Sequence, residues 1–134
     1  IFASEDIGNA DPNALLLATS TADAFDRIGL PEGKIPIAHC ICYLASAPKS
    51  NRTYLAMHAA IAAIQEFPAA VPPLHLRNAP TKLMKELGNS EGYQYPHDYQ
   101  GGFVEGVQYL PDELKEKVFY RPSEIGREGK ILKK

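Results

Sequence analysis

Apolar positions recur at helical spacing in four stretches, each bounded by residues that start or stop helices. Asp11-Pro12 opens the first, as an N-cap followed by a proline at the first helical position, and Gly29 ends it. Leu15, Ala18, Ala22 and Phe25 predict its buried stripe. The second stretch runs from about Pro31 or Ile35 to Ser46, and Pro48 stops it. It is apolar almost all round (Ile35, Ile37, Ala38, Cys40, Ile41, Cys42, Leu44, Ala45), so burial on most faces is expected. His39, Tyr43 and Ser46 make its one polar stripe.

Ser50 is the expected cap of the third helix, which runs to about Phe67. Tyr54, Met57, Ile61 and Ile64 form one stripe. Ala56, Ala59, Ala60 and Ala63 form a small-residue face that permits close approach of a neighbour. Helices two and three, joined by "APKSN", read as an αα-hairpin. "FPAAVPPLHLRNAP" is an extended, proline-rich crossing. Asn78 and Pro80 open a fourth helix, "TKLMKELG", with Leu83, Met84 and Leu87 inward and Gly88 closing it. From Gly88 to Pro111 the chain is rich in Gly and Tyr and lacks a long period, so loops and short strands are expected. "PDELKEK" supplies a partial fifth helix, and the charged end reads as a loose one. The class is all-α with an irregular C-terminal third.

The segment before Asp11, "IFASEDIG", reads as the last turn of a helix closed by Gly8, or as a short strand. The first residue is Ile1, so the chain is expected to be a fragment of something longer. Its 134 residues suggest one domain. An apolar fraction of 45% and a charged fraction of 22% are those of ordinary soluble proteins. No apolar run approaches the roughly 18 residues of a membrane span, and no secretion signal is visible. Cys40 and Cys42 sit too close on one helix to bridge, so both are expected reduced, in a cytosolic setting.

The net charge of −2 conceals an asymmetry: residues 1–32 carry −5 and residues 115–134 carry +4. A basic tail fits contact with nucleic acid or an acidic partner, or it is a solvated, frayed end.

Nucleotide motifs are missing. "GLPEGK" has a Gly-Lys, but Ile35 follows where Ser or Thr should hold the metal. His39, His58, His75 and His97 lack metal-ligand spacing, and Cys40 and Cys42 of "HCIC" point about 200° apart on a helix. Cys42, His58 and Asp98 have no local signature of a nucleophilic triad. Glu5-Asp6 and Asp112-Glu113 sit where acids complement helix ends. No enzyme is expected from this chain alone. In "GYQYPHDYQGGF", His97-Asp98 could be a catalytic couple, half a metal site, part of a nucleotide-stacking loop, or a surface crossing. The crossing is the simplest reading, with Tyr93 and Tyr95 pinning an irregular segment to the helices, at a subunit contact. Anion contact is the other candidate chemistry. Lys49, Ser50 and Arg52 surround one helix start; Arg77, Asn78, Lys82 and Lys85 surround another. Ordinary capping with solvated lysines explains the same residues.

Four long segments, "IFASEDIGNADP", "AFDRIGLPEGKIPIAHCICYLASAPKSN", "VPPLHLRNAPTKLMKELG" and "GYQYPHDYQGGFVEGVQYLPDEL", resemble the C-terminal domain of the replication-associated recombination protein A family. That family comprises AAA+ ATPases similar to clamp loaders and to the Werner-helicase-interacting ATPase. The resemblance covers nearly the whole chain. It implies that an ATPase module, with its ATP and Mg²⁺, lies upstream. It also implies a helical clamp-loader-type oligomerisation domain holding a homotetramer. The full protein would act at stalled forks, bind DNA ends and gaps near single-strand-binding protein, and be cytoplasmic and nucleoid-associated. Asn89, Ser90 and Glu91 depart from the family's "YGK", putting a negative charge where it carries a positive one. The tail also matches less closely after Arg121.

Three functions follow as expectations. One is an oligomerisation module using the apolar second helix, the alanine face Ala56, Ala59, Ala60 and Ala63, and Tyr93 and Tyr95 as interface. Another is a DNA- or partner-binding module using Lys49, Ser50, Arg52, Arg77, Lys82 and Lys85. The third is a small hydrolase using His97.

Overall fold

Asp11 leaves the extended region and its carboxylate accepts the Asn13 N–H at 3.2 Å, while Pro12 already has helical angles. The first long helix therefore starts where the sequence places it: α1 spans Asn13–Ile28 and ends at Gly29, whose φ is +70°. In the computed structural model, which describes residues 1–133, α2 spans Lys34–Ser46, α3 spans Arg52–Glu66 and α4 spans Lys82–Glu86. Pro36 lies in the first turn of α2, where an N–H has no intrahelical acceptor, so it does not break the helix. The rest is turns, one π-helical turn and short 3₁₀ segments. Among the described residues there is no strand, and no helix is long and apolar enough to cross a membrane.

The chain divides into two compact units, where length alone suggests one domain. The first holds Ile1–Ile61 and the residues from Val118 onward; the second holds Ala62–Lys117. In the first unit, "IFASEDIG" is a helical turn closed by Gly8 at φ +50°, the first of the two readings, and not a strand. It is a π-helical turn, Ala3–Ile7, followed by a 3₁₀ turn, Gly8–Ala10. Ala3, Ile7 and Ala14 form the small core, with Ala18, Tyr43, Leu44 and Ala47 packed on it. The close helix pair is α1 with α2. The expected α2–α3 hairpin does not form as a packed pair among the described residues, because α2 turns its contacting face to α1 instead. Gly33 makes the α1–α2 corner possible: a Cβ there would lie 2.5 Å from the Gly29 carbonyl oxygen and 2.8 Å from the Phe25 ring.

The expected loose tail is docked. The Arg127 N–H donates to the Ala10 carbonyl at 2.8 Å, and Glu128–Lys133 forms a 3₁₀ segment. Gly126, at φ +57°, permits this approach, since a Cβ would collide with the Ala10 carbonyl. Lys134, the last base of the tail, lies outside the described residues.

In the second unit, α4 is a five-residue helix capped by Thr81 rather than opened by Asn78 and Pro80. The Thr81 side-chain oxygen accepts the Met84 N–H at 3.3 Å. Leu83, Met84 and Leu87 were expected inward, yet all three are exposed, because so short a helix has nothing packed over that side. "NSEG" folds back on the crossing: Asn89 Nδ2 donates to the Asn78 carbonyl at 3.1 Å and Ser90 Oγ to the Arg77 carbonyl at 2.7 Å. From Tyr93 to Leu114 the chain is irregular, with 3₁₀ turns at Pro96–Asp98, Gln100–Gly102 and Asp112–Leu114.

Candidate assembly surface

The second helix is apolar almost all round but, among the described residues, covered on one side. Ile37, Cys40, Tyr43, Leu44 and Ala47 are buried or half-buried and face α1 and the N-terminal turn. Ile35, Ala38, Ile41, Cys42 and Ala45 recur at helical spacing on the opposite side and are exposed, Ile35 by 70% and Ile41 by 61%. The expectation of burial on most faces is therefore corrected, since among the described residues that stripe stays exposed. Tyr43 leaves the expected polar stripe: its hydroxyl donates to Asp11 at 2.5 Å, and that bond raises its pKa, aided by burial and by the Asp11 charge.

On α1 the inward stripe is Ala14, Leu17, Ala18, Thr21, Ala24 and Phe25: Ala18 and Phe25 face in as expected, whereas Leu15 and Ala22 face out and their preceding neighbours take their place. On α3 the two expected faces exchange roles. Ala63 is buried and Ala56 and Ala60 are half-buried inside the chain, which leaves Ala59 as the exposed alanine of the four. The larger Tyr54, Met57, Ile61 and Ile64 are exposed. Alanine's short side chain lets the backbone approach its own neighbours, so the small face is spent internally and the bulky one is left out. Tyr93 and Tyr95 are also exposed.

The candidate anion residues are used differently from the sequence expectation. Lys49 Nζ donates to the carbonyls of Leu44 at 2.8 Å and Ala45 at 3.3 Å, and to that of Ala47. It thus neutralises the C-terminal end of α2 rather than presenting itself to a ligand. Ser50 is buried, and its hydroxyl donates to the Glu128 carboxylate and accepts the Arg52 N–H at 3.4 Å. An internal carboxylate therefore stands beside the start of α3, where anion contact and ordinary capping were the two candidate roles. Arg77 Nε donates to the Pro72 carbonyl at 2.6 Å. Arg52 and Lys85 are exposed, and Lys82 sits 3.9 Å from Glu86 in a solvent-screened pair of little energetic weight.

Glu128 was not singled out by sequence reasoning. It is 0% exposed and accepts bonds from Ser50, Ser123 and Tyr120, the last at 2.6 Å. Asn9 Nδ2 in turn donates to the Tyr120 oxygen at 2.9 Å. Burial pushes the Glu128 pKa up, but bonds from the Ser123, Ser50 and Tyr120 hydroxyls and the Ser123 backbone outweigh it and hold the carboxyl below its ordinary value. The Tyr120 hydroxyl is raised, first by burial and then by its bond to Glu128. A glutamate within a charged tail has no local sign that distinguishes it from a solvated one; only the serines 78 and 5 residues away in sequence identify it.

His97 and Asp98 are both exposed and not hydrogen-bonded to each other among the described residues. The His97 ring packs 5.0 Å from that of Tyr95. His58 packs 4.3 Å from Tyr54, Cys40 is buried and Cys42 exposed. Among the described residues no group of three His, Cys, Asp or Glu could hold a metal. "GLPEGK" is no phosphate cradle, since Gly33 is closed in by Gly29 and Phe25.

The chain matches the family model described as the C-terminal region of the MgsA AAA+ ATPase over residues 1–134. It is 49% identical to the replication-associated recombination protein A of Escherichia coli K12 over 133 residues, 99% of this chain and 30% of that protein. The Bacillus subtilis protein of the same name is 41% identical over 133 residues, 99% of this chain and 31% of its own length. ATPase WRNIP1 of Dictyostelium discoideum is 41% identical over 128 residues, 89% of this chain and 14% of that protein. The chain thus spans about a third or less of the length of these relatives. Over its whole length it belongs to the MgsA AAA+ ATPase C-terminal family.

Proposed function

We propose that this chain is the self-assembly module of a replication- and recombination-associated AAA+ ATPase. The observation that carries the proposal is the uncovered apolar stripe of α2, Ile35, Ala38, Ile41, Cys42 and Ala45, opposite a face already used for folding. Apolar side chains spaced along one rigid helix are the surface that obligate subunit contacts bury. A homotetramer with clamp-loader-type helical packing is the assembly this reading favours. The relatives' names supply the replication and recombination context. In that context the longer protein binds ATP and Mg²⁺ through a module other than this one, works on DNA at stalled forks beside single-strand-binding protein, and is cytoplasmic and nucleoid-associated. The test is light scattering of this chain with and without Ile41→Glu. The expected result is a multimer that the substitution converts to a monomer with unchanged helical circular dichroism. A wild-type chain that is monomeric at high micromolar concentration overturns the proposal.

A second reading, direct DNA contact, rests on the exposed Arg52, Lys82 and Lys85. It predicts salt-dependent binding of gapped DNA that weakens when the three are changed to Ala. Lys49 and Ser50 are poor contributors, being engaged within the fold.

A further inference from the structure

The irregular part of the second unit combines exposed aromatic rings with a one-sided charge. Tyr93, Tyr95, Tyr99, Phe103 and Tyr109 are all exposed, Phe103 by 64%. Five large rings open to water within 17 positions are unusual for a segment that only crosses a surface. Tyr95 is also pre-positioned, its ring held 5.0 Å from that of His97. Exposed aromatic rings serve two kinds of partner: nucleic acid bases, which stack on them, and protein segments, which bury them as anchors.

Charge decides between these. From Gly88 to Glu113 there are five acids, Glu91, Asp98, Glu105, Asp112 and Glu113, and no lysine or arginine. All five acids are exposed. Binding of a single strand requires cations that track its phosphates beside the stacking rings, and this segment presents the opposite sign. The bases of this unit lie outside the segment, at Arg77, Lys82, Lys85, Lys115 and Lys117, and two are engaged: Arg77 with the Pro72 carbonyl and Lys117 with Glu66 at 3.2 Å. Lysine and arginine, by contrast, are attracted to tyrosine faces and to carboxylates alike, and arginine adds planar stacking.

We infer that residues 91–113 form a docking surface for a lysine- or arginine-rich segment of another protein. The rings bury the stems and face the cationic heads of its side chains, and the five carboxylates supply long-range attraction. Its residues are other than those of the α2 stripe.

The test titrates the whole 134-residue chain with deca-arginine and, separately, with the oligonucleotide dT20, following tyrosine ring signals by NMR at low and moderate salt. Deca-arginine is expected to shift the signals of Tyr93, Tyr95 and Tyr99, and dT20 to leave them in place. The double variant Tyr95→Ala, Phe103→Ala should weaken deca-arginine binding about tenfold. Asp98→Asn with Glu105→Gln should weaken it at low salt, whereas Asp23→Asn with Asp26→Asn on α1 should not. The proposal is overturned if dT20 perturbs these tyrosines, if the ring variant binds deca-arginine as tightly as wild type, or if the two acid pairs behave alike. It is also overturned if the ring variant alters the solution mass, since the face would then contact a second copy of this chain.

Discussion

The outer face of α2 and the inside of the docked tail invert the usual rule in opposite senses. On α2, isoleucines stand in water; beneath the tail, a glutamate is sealed away from it. Both are stable for the same reason, which is the partner each has or lacks. Glu128 has three hydroxyl donors within the chain, so its burial is compensated. Ile35 and Ile41 have no cover among the described residues, and on the proposed reading a second copy supplies it. The Glu128 carboxylate is satisfied inside this chain, whereas the outer stripe of α2 is left uncovered among the described residues.

The sharpest break of that contrast is Ile41→Glu, which should weaken self-association by about 4 kcal/mol, or roughly a thousandfold, with little effect on folding. Sedimentation analysis of mass against concentration reads it. Glu128→Ala should do the reverse, lowering folding stability by about 3 kcal/mol because one buried and two half-buried donors lose their acceptor. Denaturant midpoints measure this, and an unchanged midpoint would mean that water replaces the carboxylate. Gly126→Ala should cost about 2 kcal/mol, from the left-handed backbone and the collision with Ala10, read in the same assay.

Acid sharpens the comparison further. Because the folded Glu128 pKa lies below its ordinary 4.5, its stabilising contribution is complete above that pH and is lost as pH falls through the folded value. The stability difference between wild type and Glu128→Gln should therefore be flat near neutrality and shrink in acid, as unfolding curves at several pH values would show. The smallest effect is expected at the other end of the fold: Thr81→Ala removes one cap and should cost about 1 kcal/mol, seen as faster amide exchange at Met84.

Much of the helical framework was legible in the sequence. Asp11-Pro12 and Gly29 bound α1, Ser46 ends α2 before Pro48, and Glu66 ends α3 beside Phe67, because capping and proline sterics act over a few residues. The stripes were less legible. The outward turn of Leu15 and Ala22 on α1 and the exchange of faces on α3 follow from which neighbour each helix meets, and periodicity names faces without naming neighbours. The tail was misjudged as frayed for a related reason. Its anchors, the Ala10 carbonyl and the Ser50 hydroxyl, lie more than 70 positions away in sequence.

The sequence by itself determined the approximate bounds of the three long helices, that α2 is apolar almost all round, and that the chain carries no nucleotide motif; long ungapped segments also marked the family. Those properties reside in local sterics, capping and residue type. Only the tertiary structure decided which half of α2 is covered, that Lys49 serves the end of α2, and that Glu128 stands beside the start of α3. These depend on contacts between distant segments, and neither a charge nor an apolar side chain carries in its local sequence the identity of the group that will meet it.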